Sequence, residues 1–572
     1  MSETTKNSTI RWIRTVAGKK KWYIAVLLIV QIWLGISGVI YALFMRSVID
    51  EAVAGNRSAF LRAVILLVGL VVLQIACQAI GRFMGEYARS GYENCFKSRL
   101  FQMLLYRDYQ SVNATHSGEW MNRLTSDTVV VADGLTNIVP GVAGMIVKMI
   151  GALIMIFYLQ PRFGLILIPG GILVAVFSYA FRKVLKKLHK KMQEADGVVR
   201  MFLQENLGSL MVVKAFAREQ ATITDAEEKM KVHRRARMKK NHFSNLCNVG
   251  FGAAMNGIYV IGVIYCGHGI LTGAISYGTL MAVLQLISQI QAPFANITGY
   301  LPRYYAMLAS AERLMEAEVF DADLDVTEKA LDMDEIRKIY QKSFVSIGMK
   351  KLTFSYGMGR IYTDRMQRET RVLEDFNLEI KKGEYVALTG PSGCGKSTLM
   401  KILLCLYKPQ SGERYFALRE SGKKMLTSAH RKMFAYVPQG NHLMSGTIRE
   451  IVSFAEQDAG EDEERLSRAL TIACAKDFVD KLPKGVDTLL GERGLGLSEG
   501  QMQRIAIARA IFADNPILML DEATSALDET TEAQVLMNLR NMTNKIVLIV
   551  THRPAALEIC DRVVSFGETY NN

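Results

Sequence analysis

The sequence predicts a multidomain protein: an all-α domain of six transmembrane helices with long intracellular extensions, followed by an α/β domain of the P-loop type. Three observations predict this fold class. The chain has 572 residues, which is too long for a single hydrophobic core. Its first half contains six long apolar stretches. Its second half contains a glycine-rich motif, between a strand pattern and a helix pattern, of the kind that holds phosphate groups.

Each of the six apolar stretches is long enough to cross a bilayer, whose hydrocarbon core needs about 20 helical residues. A large soluble protein could bury one such stretch, but six of them, separated by charged segments, predict membrane spans. The fifth and sixth share one uncharged region that divides at residues 272–277. The stretches cover residues 24–45, 63–81, 138–161, 163–181 and the two halves of 246–302.

The net charge of +14 would suit nucleic acid or a membrane surface, so its position in the chain decides between them. Residues 182–240 carry 16 Lys and Arg against 7 Asp and Glu, and basic residues also precede the first span. Cytoplasmic loops beside a membrane show this excess. We therefore expect an integral protein of a bacterial plasma membrane, with both termini and the second domain in the cytoplasm and no nucleic-acid partner.

The two inner loops, about residues 82–137 and 182–245, are long and show apolar residues at helical spacing. They would extend spans two to five far below the membrane. We expect the segments near residues 111–115 and 210–216 to form their tips and to contact the second domain.

The strongest motif of the second half matches G-x-x-x-x-G-K-[ST]. It follows a strand-like run and precedes a helix-like run over residues 398–407, which is the context that a phosphate-binding loop requires. Glycines let backbone N–H groups surround phosphates, the lysine neutralises their charge, and the hydroxyl binds Mg²⁺. A plain glycine turn would explain neither the lysine nor the serine. The motif consists of Gly390, Pro391, Ser392, Gly393, Cys394, Gly395, Lys396 and Ser397.

Two acidic residues follow a second strand-like run. Residues 517–520 are apolar, and Asp521 and Glu522 come directly after them. Because ligands bind at the carboxyl ends of parallel strands, these acids belong at a nucleotide site. Asp521 would hold Mg²⁺ through water, and Glu522 would polarise the attacking water.

Taken in order, these motifs resemble the ATP-binding-cassette (ABC) family, and the resemblance covers nearly the whole chain. Gly500 and its neighbours resemble the family's signature, and Tyr356 lies where the family places an aromatic ring against adenine. Taken alone, each matching residue could also have an ordinary structural role, for example as a loop histidine or a core aromatic residue. The matching segments are 497–501 (signature), 437–439 (glutamine loop), 525–528 (D-loop), 550–553 (switch histidine), 491–494 (an exporter loop), and 117–119, 123–127 and 213–216 (coupling regions).

The resemblance implies an exporter half-transporter of the type IV architecture, whose α/β domain also has an antiparallel β subdomain and an α-helical subdomain. The implied boundaries are an N-terminal segment 1–22, a transmembrane domain 23–315, a linker 316–342 and an ATPase domain 343–572. In this family two ATP molecules lie between two cassettes, each held by the phosphate loop of one and the signature of the other. A chain with one of each must therefore pair, most simply with a second copy, although a heterodimer stays open.

ATP and Mg²⁺ are the implied substrate and cofactor. Glu522 and His552 are the implied catalytic residues, and Ser397, Gln439 and Asp521 the implied Mg²⁺ ligands. The implied ATP-binding residues are Tyr356, the motif residues Gly390 to Ser397, Thr398, Gln439, Ser498, Gly500, Gln501 and Asp528.

The sequence departs from the family's pattern at two places. Glu499 replaces the glycine usual in the third signature position, and an acidic residue there suits a helix start. Residues 357–371 form a longer connector than usual, which we interpret as a surface hairpin.

The substrate stays open between a drug, a peptide and a lipid, and a lipid flippase or an exporter-shaped importer would share every motif. A non-transport ATPase with a similar signature is the alternative of another class, although it would lack six spans. Lys148 is the one clear charge inside a span, which favours a functional role, but a position nearer the cytoplasmic end or a pairing with a polar neighbour would equally explain it. Polar residues of the spans could line a path or join helices. The candidates for a substrate path are Lys148, Asn256, Gln285 and Gln289.

Overall fold

The computed structural model describes residues 3–323, 331–356, 370–440, 443–456, 460–491 and 496–566. Within two long helices, most of residues 168–183 and 292–301 are described by their backbone alone. The chain divides into two compact units: residues 1–101 with 120–316, and residues 102–119 with 317–572. The second unit therefore combines a short segment of the first half with the whole second half. The longer connector, apart from its last two residues, and residues 492–494 of the exporter loop lie outside the described residues.

The first half is entirely helical in its described part. Apolar residues dominate the long helices, and two π-helical turns, Arg123–Asp127 and Gly134–Ile138, join three segments into one helix over Ser117–Leu159. The helices are α1 (Glu3–Ala17), α2 (Lys21–Val53), α3 (Arg57–Tyr106), α4 (Tyr109–Asn113), α5 (Ser117–Asn122), α6 (Thr128–Asp133), α7 (Val139–Leu159), α8 (Pro161–Gly208), α9 (Leu210–Ala215), α10 (Glu219–Leu271) and α11 (Tyr277–Val319).

Four helices of the described part are long and apolar enough to cross a membrane: α2, α3, the continuous helix that ends with α7, and α10. They contain the first, second, third and fifth predicted spans. The fourth and sixth lie in α8 and α11, and the count of six spans stays a prediction. Large apolar side chains are exposed along α3, among them Ile65 and Phe83 at 68% and 72%. Exposed hydrocarbon of this extent suits lipid contact.

Close backbone contact joins α2 to α7. A methyl group on Gly35 would lie 2.8 Å from the carbonyl oxygen of Gly144, and one on Gly144 would lie 2.7 Å from that of Gln31. Small residues allow such approach between membrane helices, which gain packing contacts in this way. The two glycines therefore fix where these helices cross.

A buried acid joins the π-helical turn before α6 to α11. Asp127, which is 3% exposed, accepts hydrogen bonds from Arg313 Nε at 2.8 Å and from Ser310 Oγ at 2.9 Å. Arg123 lies beside it and donates to the carbonyl oxygen of Arg313 at 3.0 Å. Because a buried carboxylate is costly without partners, this network depends on all its members.

The second half forms an α/β fold with three sheets. The helices are α12 (Met333–Lys342), α13 (Lys396–Leu403), α14 (Ile448–Val452), α15 (Glu463–Ile472), α16 (Lys476–Val479), α17 (Glu499–Phe512), α18 (Glu529–Arg540) and α19 (Pro554–Glu558). The strands are β1 (Phe344–Tyr356), β2 (Thr370–Lys381), β3 (Tyr385–Thr389), β4 (Ser411–Leu418), β5 (Gly422–Met425), β6 (Phe434–Val437), β7 (Gly446–Thr447), β8 (Leu489–Leu490), β9 (Ile517–Asp521), β10 (Ile546–Val550) and β11 (Arg562–Ser565).

A parallel sheet in the order β11-β3-β10-β9-β6 forms the centre of this fold. Its side chains alternate between two cores, as a period of two requires. Leu518 and Val547 pack with the helices α14 to α18, whereas Ile517 and Leu548 pack with the antiparallel sheet β2-β1-β4-β5. The antiparallel and helical parts that the resemblance implies are thus both present.

The segment predicted as a linker is partly structured. Asp332 caps α12 through a reciprocal hydrogen-bond pair with Glu335, and Ile336 and Tyr340 are buried in the same core as β1. The helix α13 ends at Leu403 and does not extend to residue 407 as predicted. The reason is Cys405, whose φ of 56° is incompatible with a continuing helix.

The Asp127 network yields a stability prediction. Asp127→Ala leaves Arg313 without its carboxylate partner, so we expect a loss of about 2 kcal/mol in unfolding free energy. The measurement is thermal unfolding of the purified protein in detergent. The control is Glu194→Ala, which removes an exposed pair with Lys190 and should shift the midpoint little. Equal midpoints for the two variants would contradict the assignment of Asp127 to a structural core.

Candidate functional site

The loop after β3 has the backbone shape of a phosphate cradle. Gly390, Gly393 and Gly395 have φ angles of 137°, 85° and 107°, which only glycine adopts without strain. A methyl group on Gly390 would lie 2.5 Å from the carbonyl oxygen of Phe566, so a side chain has no room there. The loop leads directly into α13, whose first N–H groups and positive dipole end favour an anion.

Lys396 is held inside this loop. Its side chain is buried, and Nζ donates to the carbonyl oxygens of Gly390 and, at 2.9 Å, of Pro391. Backbone carbonyls thereby fix an ammonium group against the loop without neutralising its charge. Ser397 and Thr398 follow it in the first turn of α13, where the motif predicts hydroxyl groups beside the phosphates.

Asp521 lies at the end of β9 between two hydroxyl groups. Its carboxylate accepts from Ser397 Oγ at 3.0 Å and from Tyr436 Oη at 3.1 Å, and the residue is 1% exposed. Burial raises the pKa of Asp521, while these two hydrogen bonds oppose the rise. Oxygen donors around a buried carboxylate suit Mg²⁺, which proteins hold through one or two such ligands together with substrate phosphates. Ser397 and Asp521 therefore fit the predicted metal site.

Glu522 and Gln439 form a hydrogen-bonded pair at the same sheet edge. Gln439 Nε2 donates to Glu522 Oε2 at 2.7 Å, and the backbone N–H of Glu522 donates to the carbonyl oxygen of Val550 at 3.1 Å. Glu522 has a φ of 50°, a strained value of the kind found at functional sites. His552 follows β10 two residues after Val550 and is exposed. In this structure Gln439 contacts the predicted base, Glu522, rather than the other two predicted Mg²⁺ ligands.

Tyr356 ends β1 beside the phosphate loop. Its hydroxyl group shares a hydrogen bond of 2.9 Å with Thr398 Oγ1, and its ring, which is 37% exposed, contacts Tyr407 edge-on at 5.9 Å. Tyr407 in turn contacts Tyr109 of α4 at 6.1 Å between ring centroids. A row of three aromatic rings therefore connects the predicted adenine platform with the first predicted tip. The second tip, α9, has no buried residue in this structure.

The signature residues begin α17. Ser498 and Gln501 form a reciprocal cap, in which Gln501 N–H donates to Ser498 Oγ at 3.3 Å and Ser498 N–H donates to Gln501 Oε1 at 2.9 Å. Glu499 occupies the first position of the helix, where its charge suits the dipole. Gly500 approaches the D-loop so closely that a methyl group would lie 2.8 Å from the carbonyl oxygen of Ala526.

Sequence reasoning missed Gln503, which ties α17 to the D-loop. Gln503 is 3% exposed; its Nε2 donates to Ser525 Oγ at 3.0 Å, and its Oε1 accepts from the backbone N–H of Ala526 at 2.9 Å. A buried glutamine that satisfies both ends of its amide fixes the spacing of two segments. The signature and the D-loop therefore form one rigid piece.

Arg553 fixes the other side of the D-loop and was also missed. It donates to the carbonyl oxygens of Ser525 and Leu527 at 2.6 and 2.9 Å and pairs with Glu532 at 2.7 Å. Glu532 is 2% exposed and also accepts from Thr524. Asp528 caps α18, and hydrogen bonds from Thr530 and from the helix lower its pKa. The only indication of this role in the sequence was the position of Arg553, a charged residue directly after His552.

Two of the four candidates for a substrate path come together in the first unit. Lys148 of α7 and Gln289 of α11 both lie against Gly38 of α2. Asn256 and Gln285 are exposed, and no hydrogen bond of their side chains is present in the described part of the chain. Gln74 joins helices, since its amide donates to Ser37 Oγ at 3.1 Å.

Comparisons with known proteins agree with this geometry. Residues 23–294 match the family described as the ABC transporter transmembrane region, and residues 373–525 match the ABC transporter family. An ATP-dependent lipid A-core flippase of Desulfotalea psychrophila is 30% identical over 474 residues, which are 82% of this chain and 78% of that protein. The ATP-dependent permease MDL1 of Candida albicans is 28% identical over 82% of this chain and 68% of its own length.

A solved structure is similar over almost the whole chain. It is a bacterial Atm1-family ABC exporter with ATP bound, with a TM-score of 0.76 and 22% identity, covering 95% of this chain and 93% of that one. The likeness shows the fold, and the sequence matches show the family. The chain belongs to the ABC transporter family, as an exporter half-transporter that fuses a membrane-spanning region to an ATP-hydrolysing domain.

Proposed function

We propose that the chain works as a homodimer that hydrolyses ATP at two shared sites and moves its substrate from the cytoplasm or the inner leaflet outwards. One observation carries the pairing. In the described part of the chain, no hydrogen bond joins the signature residues 498–501 to the phosphate loop of the same chain. The N-terminus of the signature helix is therefore available to a phosphate group of ATP. That ATP would be bound to the phosphate loop of a second copy. A heterodimer with another half-transporter is the alternative pairing.

Phosphate binding in this proposal rests on the loop of residues 390–397. Its N–H groups and Lys396 take the β- and γ-phosphates, and Tyr356 stacks on the adenine ring. Magnesium, when bound, neutralises charge that develops on the transferred phosphoryl group, and Ser397 and Asp521 would hold it. Asp521 needs to be ionised for this role, and a cation beside it would reverse the effect of burial on its pKa.

Glu522 polarises the attacking water in this proposal, and His552 contacts the γ-phosphate. The hydrogen bond between Gln439 and Glu522 supports the assignment, because it orients the carboxylate at the sheet edge where Asp521 and Ser397 lie. The ionised carboxylate is the form that accepts a proton from water. The attack releases phosphate and leaves ADP, and the pair of domains separates.

Two segments carry this motion to the membrane in our proposal. The first is α4, which contacts the ATPase domain through Tyr109 and Tyr407, and the second is α9, whose exposed apolar residues suit contact with the partner copy. ATP can drive this motion only if the joined and the separated pair of ATPase domains bind ATP with different affinities. The boundaries 1–22, 23–315, 316–342 and 343–572 and a cytoplasmic position of both termini belong to the same proposal.

A lipid is the substrate class that one relative favours, because the protein of Desulfotalea psychrophila is named an ATP-dependent lipid A-core flippase. Lipid translocation is therefore our second reading beside drug or peptide export. Both readings use the same ATP chemistry, and transport in vesicles distinguishes them.

The role of Glu522 gives the first test of this proposal. Glu522→Gln removes the base but keeps the size and shape of the side chain. Phosphate release by the purified chain should therefore fall at least about 100-fold. ATP binding, measured by filter retention, should remain. Glu558→Gln, an exposed acid of α19, is the matched control and should keep full turnover. Steady-state hydrolysis near the wild-type rate in Glu522→Gln would refute the assignment, and wild-type protein that hydrolyses ATP only with a different half-transporter would refute the homodimer.

The row of tyrosines gives a second test, by hydrogen exchange. Tyr109→Ala removes the ring that contacts Tyr407, so amides of residues 109–115 should exchange about fivefold faster, as the loss of an aromatic pair implies. In wild type, ATP with EDTA should slow exchange in this segment, and the variant should lose that response. Tyr106→Ala is the control, because its ring is 68% exposed and has no ring partner among the described residues. An unchanged ATP response in Tyr109→Ala would contradict coupling through this contact.

A further inference from the structure

Three helices of the first unit meet at Gly38. A methyl group at this glycine would lie 3.3 Å from Gln289 Oε1 and 3.5 Å from Lys148 Cε. The absence of a side chain on α2 therefore leaves a notch that the amide of Gln289 from α11 and the end of the Lys148 side chain from α7 both approach. One helical turn along, Gly35 and Gly144 hold α2 and α7 in close contact, so this arrangement is fixed by packing.

Gln289 is only half satisfied in this notch. The residue is 4% exposed, and its Nε2 donates to the carbonyl oxygen of Gly38 at 2.6 Å. Its Oε1 is buried and has no hydrogen-bond partner among the described residues. A buried carbonyl oxygen without a donor is unfavourable, so this atom marks a place where a donor from a ligand would be stabilised.

Lys148 brings a positive charge to the same place, near the middle of the predicted span 138–161. The side chain is half-buried, and no described residue forms an ion pair or hydrogen bond with it. The sequence also excludes a carboxylate partner within the spans. No Asp or Glu occurs in residues 4–49, 52–85, 134–193 or 229–311, which contain every predicted span. A second copy of the chain brings none either, so a bound anion is the natural counter-ion.

A cavity of about 380 Å³ lies toward the predicted cytoplasmic side of this notch, and Leu34, about one helical turn before Gly38, is among its lining residues. Gln31 lines it from α2, two helical turns before Gly38. Arg82 and Arg89 line it from α3, together with Glu86, which lies 3.8 Å from Arg89. Arg82 has no partner among the described residues, so the lining keeps a net positive charge.

We infer that these features form a binding path for an anionic amphiphile: Arg82 receives its acidic group at the cavity, and Lys148 binds that group in the notch at Gly38. Gln289 Oε1 accepts a hydrogen bond from a hydroxyl or a protonated acid oxygen of the ligand. The apolar tail lies along the spans, since their other side chains are mostly hydrocarbon. This inference rests on the proposed transport function and names its substrate class.

The test compares two probes with the same fluorescent acyl chain, lysophosphatidic acid and lysophosphatidylcholine. Binding is measured by fluorescence anisotropy to the purified full chain in neutral nanodiscs, with binding to empty nanodiscs subtracted. We expect wild type to bind the acidic probe about tenfold more tightly, as one charge-assisted contact implies. Lys148→Gln should abolish this preference, Lys148→Arg should retain it, and Arg82→Gln should weaken it.

Lys190→Gln is the matched control, because that lysine is 79% exposed on α8 and should not change the preference. Equal affinity of wild type for the two probes, or an unchanged preference in correctly eluting Lys148→Gln protein, would overturn the inference. Phosphate release is measured in the same samples and reports on the proposed function separately, because probe binding does not require ATP hydrolysis.

Discussion

Parallel pairing of β3, β10, β9 and β6 is the constraint on which the candidate site depends. Because neighbouring parallel strands end on the same side, the pairing brings together residues that are 83 and 124 positions apart in the chain. Ser397 enters from the loop after β3, Asp521 and Glu522 end β9, and Gln439 follows β6. A register shift in any one pair would separate the hydroxyl, the two acids and the amide, however well each motif is preserved.

The sequence predicted the structure well where a local pattern of residues is compatible with only one local structure. The phosphate loop needs glycines at positive φ, and the apolar stretches need a bilayer, so both could be read directly. It was uninformative where a role depends on a distant partner. Tyr436, Gln503 and Arg553 look like ordinary strand, helix and loop residues, and only the fold shows that they orient Asp521 and hold the D-loop. The end of α13 was missed as well, because no local pattern in the sequence indicated the positive φ of Cys405.

The membrane half shows how a missing residue type can carry information. Polar side chains in spans usually find each other, as Gln74 and Ser37 do. Among the described residues Lys148 has no such partner, and the predicted spans contain no acid to pair with it. Retaining an ammonium group under these conditions opposes insertion and stability. In the binding path that we infer, Lys148 and Gln289 would contact the substrate, whereas Gln74 and Ser37 join two helices.

The double anchoring of the D-loop has a thermodynamic consequence for two paired copies. In the proposed homodimer, Gln503 ties that loop to the signature helix, which would contact the partner's nucleotide, while Arg553 ties it to the segment of His552, which would contact the chain's own nucleotide. One nucleotide therefore cannot shift its loop without altering the other's surroundings. Linkage requires such an effect to be mutual: whatever factor the first ATP imposes on the affinity of the second, the second imposes on the first. A mutation that weakens ATP binding at one site would therefore also change the ATP affinity of the other.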